Sequence, residues 1–323
     1  MNLRVVCWSV KNLLAVVVLF PLLMCKPTGD RSTLTVFAAA SMGPTLKALE
    51  DRFEADHPDV DVRVELSGSR LACAKIADQQ RRADIVISAD HTLLDQMLIP
   101  VHASFKTLFA DNALVLAYER SSPWAKRLTE EPWQKVLSHD DIAIGYANPA
   151  LAPVGYRTLL ALKLNDRVAS DALRLGETIA SRLLKRHQRP DVAQLLAPLQ
   201  AGEVDVAFLY RTEAQQYGLP YVSLDPRIDF SKTEHEALYN SVEVEIPGLG
   251  DRPARTARGS SLVYGLTVPR DATSTALATS FVKFMLSETG QKLAAASHLN
   301  FFSPKDVRTH GVPPPGLRLA GMP

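Results

Sequence analysis

The sequence predicts an α/β protein of two lobes, each a mixed sheet flanked by helices, joined by two hinge strands. Three observations lead there. Between Leu34 and Ser88, short apolar runs alternate with small-residue turns and amphipathic stretches, the signature of strand, turn and helix in repetition. A longer apolar run, Phe109 to Tyr118, leaves that unit for a second series of the same kind, and Leu262 to Pro269 leads back. The 323 residues, 46% hydrophobic and 22% charged, are enough to build two cores.

In chain order, Leu34 to Phe37 reads as a buried strand, Ala38 to Gly43 as a turn, and Pro44 to His57 as a helix with Leu46, Leu49 and Phe53 on one face. Val60 to Leu66 alternates as a second strand. Ser67-Gly68-Ser69 turns into a helix carrying Leu71, Cys73, Ile76 and Ala77, and Asp84 to Ser88 is a third strand. In the second unit, Trp124 to Leu137 reads as a helix, Ile142 to Tyr146 as a strand, Asn148 to Pro153 as a loop and Gly155 to Leu164 as a helix. A helical pair, Ser170 to His187 and Val192 to Ala201, leads through Gly202 to a strand at Val204 to Tyr210. Strands at Val242 to Pro247 and Leu262 to Pro269 are expected to be joined by a polar hairpin over 248–261. One amphipathic helix is expected from Ser274 to Ala296. The first lobe then comprises 33–112 and 262–305, the second 113–261, and 306–323 form an extended tail with three consecutive prolines.

The first residues look unlike the rest. Arg4 and Lys11 precede an apolar run from Leu13 to Leu23, broken at Pro21, which fits an export signal over 1–25 and is too short for a spanning helix. Leu22-Leu23-Met24-Cys25 resembles a lipobox, so Cys25 is a candidate lipid anchor. With Cys7 and Cys25 in that segment, Cys73 stands alone in the mature chain. No disulfide framework and no cysteine-based metal site follows, and Cys73 reads as a small buried hydrophobe. Lys plus Arg is 36 and Asp plus Glu is 35, which gives no basic surface for nucleic acid.

Three turns carry the chemistry: Ala40-Ser41, Ser67-Gly68-Ser69 and Pro153-Val154-Gly155. Each puts a small or hydroxyl residue where a strand's C-terminal end meets a helix. Helix starts present unpaired N–H groups and the positive end of the macrodipole, and serine hydroxyls add donors without adding charge. Ser and Gly also serve there as ordinary caps and turn residues. Their shared place at strand C-terminal ends, where open α/β sheets bind ligands, favours an anion site.

Several segments resemble, in order and spacing, the molybdate/tungstate-binding protein family of ABC importers, in its archaeal-type branch. They are Phe37-Ala38-Ala39-Ala40-Ser41, Ser67-Gly68-Ser69, Ala83 to Asp90, Phe109 to Tyr118, Gly155 to Leu160, Gly202 to Tyr210 with Tyr217-Gly218-Leu219, and Val263 to Pro269. The resemblance implies a type II periplasmic binding protein that closes by hinge motion on molybdate or tungstate, with an ABC permease as partner and no cofactor. It makes Ala40, Ser41 and Ser69 the first lobe's contribution, and Val154, Gly155 and Tyr210 the second's. Tyr156 and Arg157 read as structural, packing a helix and meeting a carboxylate. The branch usually has Asp-Pro-Cys-Gly-Tyr-Arg where this chain has Ala152-Pro153-Val154-Gly155-Tyr156-Arg157, and its Glu before a Tyr is Leu209 here. Both metal-reaching carboxylates are therefore missing, which implies a four-coordinate oxyanion held by hydrogen bonds alone. The lost Cys of that motif fits loss of a family disulfide to Cys73.

Other classes find less support. Eight scattered histidines form no HExxH pair, no nucleophile elbow or phosphate-binding glycine loop follows a strand, and no enzyme is expected. The same fold could take sulfate, phosphate, an organic anion or an iron-linked ligand, with Tyr221, Tyr264 or Arg70 available to such sites, or serve as a surface sensor or adhesin. The expected product is a monomeric, exported protein of the periplasm or the outer face of the cytoplasmic membrane.

Overall fold

The computed structural model describes residues 31–169 and 174–317, so the expected export segment and Cys25 lie outside the described residues. The chain begins with β1 (Ser32–Ala39), α1 (Gly43–Asp56), β2 (Val60–Ser67), α2 (Ser69–Ala77), β3 (Ile85–Ser88), α3 (Thr92–Met97) and β4 (Phe105–Asp111). It then crosses to β5 (Leu114–Tyr118), α4 (Ala125–Glu130), α5 (Trp133–Leu137), β6 (Ile144–Ala147), α6 (Pro153–Val168), α7 (Leu175–Ser181), β7 (Gln188–Arg189) and α8 (Ala193–Gln200). This second series continues with β8 (Val206–Tyr210), α9 (Arg211–Gln216), β9 (Tyr221–Ser223), α10 (Glu236–Tyr239), β10 (Glu243–Ile246) and β11 (Arg255–Arg258). The return supplies β12 (Val263–Thr267), α11 (Thr275–Met285), α12 (Glu288–Ala296), β13 (Asn300–Phe301) and β14 (Arg308–Gly311).

Two main sheets result. The first runs β13-β4-β12-β3-β1-β2, with β14 also on β4; the second runs β7-β6-β8-β5-β9. Within them β1 is parallel to β2 and β3, and β6 is parallel to β7 and β8. The antiparallel pairings are those of β12 with β3 and β4, of β13 and β14 with β4, and of β5 with β8 and β9. Helices cover both faces of the parallel strands, so β3 and β8 are buried at every residue and read as continuous apolar runs rather than alternations. On α1 the expected face holds: Leu46, Leu49 and Phe53 are buried, and the Phe53 ring meets Phe281 of α11 edge-on at 5.1 Å.

The differences from expectation have local causes. The Phe109–Tyr118 run is two strands, one in each sheet, divided at Asn112. That side chain is buried and its Oδ1 accepts from Ala113 N (2.9 Å) and Thr212 N (3.3 Å), holding the backbone in the turn between lobes. The helix expected from Trp124 to Leu137 breaks at Pro132, which has no N–H to continue the ladder. The Ser274–Ala296 helix restarts at Ser287, whose hydroxyl accepts from Gly290 N (3.3 Å). Of the 170–187 helix, residues 170–173 lie outside the described residues and the helix runs Leu175–Ser181. β10 pairs with β11 in a sheet of its own, not with the returning strand β12. The tail is not a loose extension over its described part: β14 pairs with β4, and Val307 and Leu317 are buried.

The Phe53 cluster joins α1 to α11, two segments far apart in the chain. Phe53→Ala should lower the unfolding free energy by about 3–5 kcal/mol in chemical denaturation, the range for an emptied aromatic core position. A change below about 1 kcal/mol would show that this contact is not formed.

Candidate ligand site between the lobes

The site is made where strands end. β1 passes through a single 3₁₀ turn, Ala40–Met42, into α1, and β2 ends at Ser67 before Gly68 starts α2 at Ser69. In the second lobe, α6 starts at Pro153 behind Ala152, α8 starts behind Asp191 and Val192, and β8 ends at Tyr210. These ends meet around one cavity of ≈ 20 Å³ lined by Ala40, Ser41, Ser69, Ala152, Val154 and Tyr210, with Asp191 and Val192 at its wall. That is the scale of a water or two. Pockets for organic ligands take roughly 300–1,000 Å³, so this one is far below that range.

The two lobes approach closely here. A Cβ on Gly68 would lie 2.3 Å from Leu151 O of the opposite lobe, and Arg70 N donates to that same carbonyl at 3.2 Å. Side chains larger than those of Gly68, Ala40 and Ala152 would hold the lobes apart.

Each hydroxyl at the cavity is set up as a donor. Ser69 Oγ accepts from Ala89 N (2.9 Å), and Ser41 Oγ accepts from the Tyr264 hydroxyl (2.9 Å). Tyr264 in turn accepts from Asn112 Nδ2 (3.2 Å), an amide whose oxygen is already taken by two backbone N–H groups. Tyr210 OH accepts from Arg157 Nη1 at 3.0 Å. Since a hydroxyl carries one proton, these three are left to donate theirs into the cavity. Burial pushes the Tyr210 and Tyr264 phenols up, which keeps them protonated. The first-turn amides of Ser69 and Val154 add donors without an intrahelical acceptor.

Gly155 has another role. Its N–H is bonded to Ala152 O at 3.0 Å, and a Cβ there would sit 2.3 Å from Ala147 O, so this glycine lets α6 pack against the end of β6. Leu209 is buried in β8 and does not line the cavity, whereas Ala152 does.

Behind the donors lies a buried ion pair that crosses the cleft. Arg157, on α6, donates to Ala89 O (3.1 Å), and its Nη2 lies 3.5 Å from Asp90 Oδ2. Tyr156 OH donates to the same carboxylate at 2.5 Å. Burial would push Asp90 up, but the Arg157 charge and the Tyr156 bond outweigh it and hold the carboxyl at about 2. Arg157 is thus matched by Asp90, and the cavity has no uncompensated cation. Asp191 is the carboxylate at its wall; its two oxygens accept from Gln194 N (3.2 Å) and Gln194 Nε2 (3.3 Å) and so cap α8.

The sequence correctly places the α8 start at Val192, its N-cap, and offers Tyr264 only to a different kind of site, while the parts played by Asp90, Asn112 and Asp191 are not among its expectations. Pro190-Asp191 before an apolar run was a legible helix start; Asn112 and Tyr264 carried no local signal, because their role exists only across the two lobes. Cys73 is fully buried, and burial pushes its thiol up to about 12, an inert packing residue.

Two α/β lobes closed over a small cavity of donors at strand C-terminal ends define a solute-binding protein. The chain belongs to the bacterial extracellular solute-binding protein family, whose profile matches residues 34–299. It is 32% identical to the molybdate/tungstate-binding protein of Thermococcus kodakarensis, over 84% of this chain and 83% of that one. With the molybdate/tungstate-binding protein of Pyrococcus abyssi it shares 29%, over 89% and 91%. Among solved structures, the periplasmic molybdate-binding protein of Azotobacter vinelandii matches with a TM-score of 0.59 at 16% identity, covering 82% of this chain and 98% of that one. The sulfate-binding protein of Mycobacterium tuberculosis matches at 0.58 and 15%, covering 85% and 88%. The fold is that of the type II periplasmic binding proteins. No helix among the described residues is long and apolar enough to cross a membrane.

Two buried groups near the site lack a hydrogen-bond partner: Arg157 Nη2, which has only its 3.5 Å ion pair with Asp90, and the Glu213 carboxyl. Glu213, on the first turn of α9 after Tyr210, is buried with neither oxygen hydrogen-bonded, and burial raises its carboxyl from 4.5 to about 8. A raised folded-state value means the stability it contributes is full below pH 4.5 and is lost as pH rises through about 8. Glu213→Gln should remove that loss. Its stability relative to the unmodified protein should rise between pH 5 and pH 8.5 by an amount on the order of 3–5 kcal/mol. A difference that stays constant with pH would contradict a buried neutral Glu213.

Proposed function

We propose that this chain is the extracytoplasmic binding component of an ABC importer and captures molybdate or tungstate as a tetrahedral dianion held by hydrogen bonds alone. The observation that carries this reading is the set of three hydroxyls, Ser41, Ser69 and Tyr210, each already accepting one bond and aimed at a cavity too small for an organic solute. Preoriented donors and helix starts replace the hydration shell of a dianion without adding a countercharge. Ala152 and Leu209, at the positions where the resemblance to the archaeal-type branch implies carboxylates, leave the metal its four oxygens. The identity with archaeal molybdate/tungstate-binding proteins, 32% and 29%, supports the choice of ion.

On this reading the protein is a monomer, exported by residues 1–25 and held in the periplasm or at the outer face of the membrane, with Cys25 as the candidate lipid attachment point. Its partner is the membrane permease, to which it hands the ion; no nucleic acid, cofactor or catalytic step is involved. All-donor cavities also accept sulfate and other tetrahedral dianions, and the fit of the oxygens to fixed donors decides among them.

A thermal-shift panel of molybdate, tungstate, sulfate, phosphate and chromate tests the ion directly, because a ligand that binds only the folded state raises its stability by mass action. Molybdate and tungstate should give the largest shifts. No shift with any oxyanion would defeat the proposal, and a larger shift with sulfate or phosphate would transfer it to that ion. In calorimetric titration with tungstate, Ser41→Ala and Ser69→Ala should each weaken binding by about 1–3 kcal/mol. Unchanged affinity would remove the residue from the site.

A further inference from the structure

The cavity lies on the boundary between the lobes, with Ser41 and Ser69 of one and Val154 and Tyr210 of the other in its wall, so parting of the lobes takes the site apart. Some contacts that oppose parting lie beside the cavity, as with Arg157 and Asp90. Another group lies well away from it, on the hairpin of β10 and β11. The base of that hairpin belongs to the second lobe: Lys163 of α6 donates to Glu243 O at 2.8 Å. Its tip reaches the first lobe. Leu249 packs against the apolar cluster under α2 and α3 that includes Cys73, Ile76 and Met97. Arg252 Nε lies 2.9 and 2.8 Å from the two oxygens of Asp78, at the C-terminal end of α2, and its Nη2 lies 2.7 Å from Oδ1. Arg255 donates to Gln96 of α3 at 2.6 Å.

The tip is built to hold this position. Leu249 and Arg252 exchange two backbone bonds of 3.1 Å, and a Cβ on Gly248 would lie 2.5 Å from Arg252 O. Beneath it, buried Arg70 of α2 donates across the cleft to Ala150 O (3.2 Å) and Pro247 O (2.9 Å). Arg70 therefore shares the lobe boundary with Arg252 and Arg255, and Asp78 is the carboxylate set against them. The same helix that presents Ser69 to the cavity at its start is thus gripped by the opposite lobe at its end.

We infer that the β10–β11 hairpin is a latch, and that the Arg252–Asp78 contact at its tip is a positioning pair that sets how long the closed lobes hold their ion. The retention half of this inference rests on the oxyanion reading above; the closure half stands without it. The pair is one-third exposed on each side, so its strength is modest and screened by salt. Removing the carboxylate should act more strongly than removing the guanidinium, because three arginines then face one another with no anion between them.

The test uses the full-length protein. Dissociation of tungstate, followed by stopped-flow fluorescence at low salt, should be about two- to fivefold faster in Arg252→Gln. It should be faster still in Asp78→Asn, and the exchanged variant Asp78→Arg/Arg252→Asp should return toward the original rate. Distances between spin labels placed on the two lobes should shift toward the open form in both single variants without any ligand present. If tungstate does not bind, those distances still decide the latch. Original distances together with original dissociation rates in Asp78→Asn would overturn it, as would acceleration by Arg252→Gln that the exchanged variant fails to reverse.

Discussion

Arg157 leaves α6 of one lobe with its guanidinium almost wholly out of water, and its partners are split between the lobes: Nη1 donates to Ala89 O on one side and to the Tyr210 hydroxyl on the other, while Nη2 has only the ion pair with Asp90. Taking two charges out of water costs several kcal/mol per ion, and their attraction repays this only in good geometry. The pair is therefore weak as a source of stability. What it supplies is a geometry: only the closed arrangement lets Arg157 reach Ala89 and lets Tyr156 reach Asp90. The same guanidinium fixes the Tyr210 hydroxyl as a donor toward the cavity, so closure and readiness to bind have one cause.

The charge balance of the site follows from that pair. With Arg157 matched by Asp90, Glu213 neutral below about pH 8 and the Asp191 carboxylate engaged by Gln194, the wall offers a dianion dipoles and hydroxyl protons rather than a countercharge. Such a wall needs close approach, and the residues around it are small for that reason. Gly68, Ala40 and Ala152 let the backbones meet, and Ser41 and Ser69 are the shortest side chains that still carry a donor proton. Fixed donors at short range reward an ion whose oxygens fall where the protons point, which is selection by shape.

How much of this the sequence disclosed depends on how local each cause is. The turns at Ala40-Ser41, Ser67-Gly68-Ser69 and Pro153-Val154 were legible because a helix start after a strand end is written in adjacent residues. The face of α1 was legible from the spacing of Leu46, Leu49 and Phe53. The break at Pro132 was also local and was outweighed by the apolar pattern on either side of it. Asn112 and Tyr264 were not legible, since the relay from Asn112 to Tyr264 to Ser41 joins residues far apart in the chain. Gly155 looked like part of the site from its place in the motif, yet its N–H is spent within its own turn. The stretch over 248–261 differs from expectation because it contains a strand of its own, β11, which takes β10 as its partner in place of β12.

A cage without direct coordination leaves Asp191 off the metal, its carboxylate standing at the cavity wall and occupied by Gln194. X-ray absorption at the tungsten edge, on the protein loaded with tungstate, reads the number of oxygens around the metal. Four oxygens in a single short shell is the expected result. An expanded six-coordinate shell would contradict the hydrogen-bonded cage and would point to Asp191 as a ligand released from its helix cap.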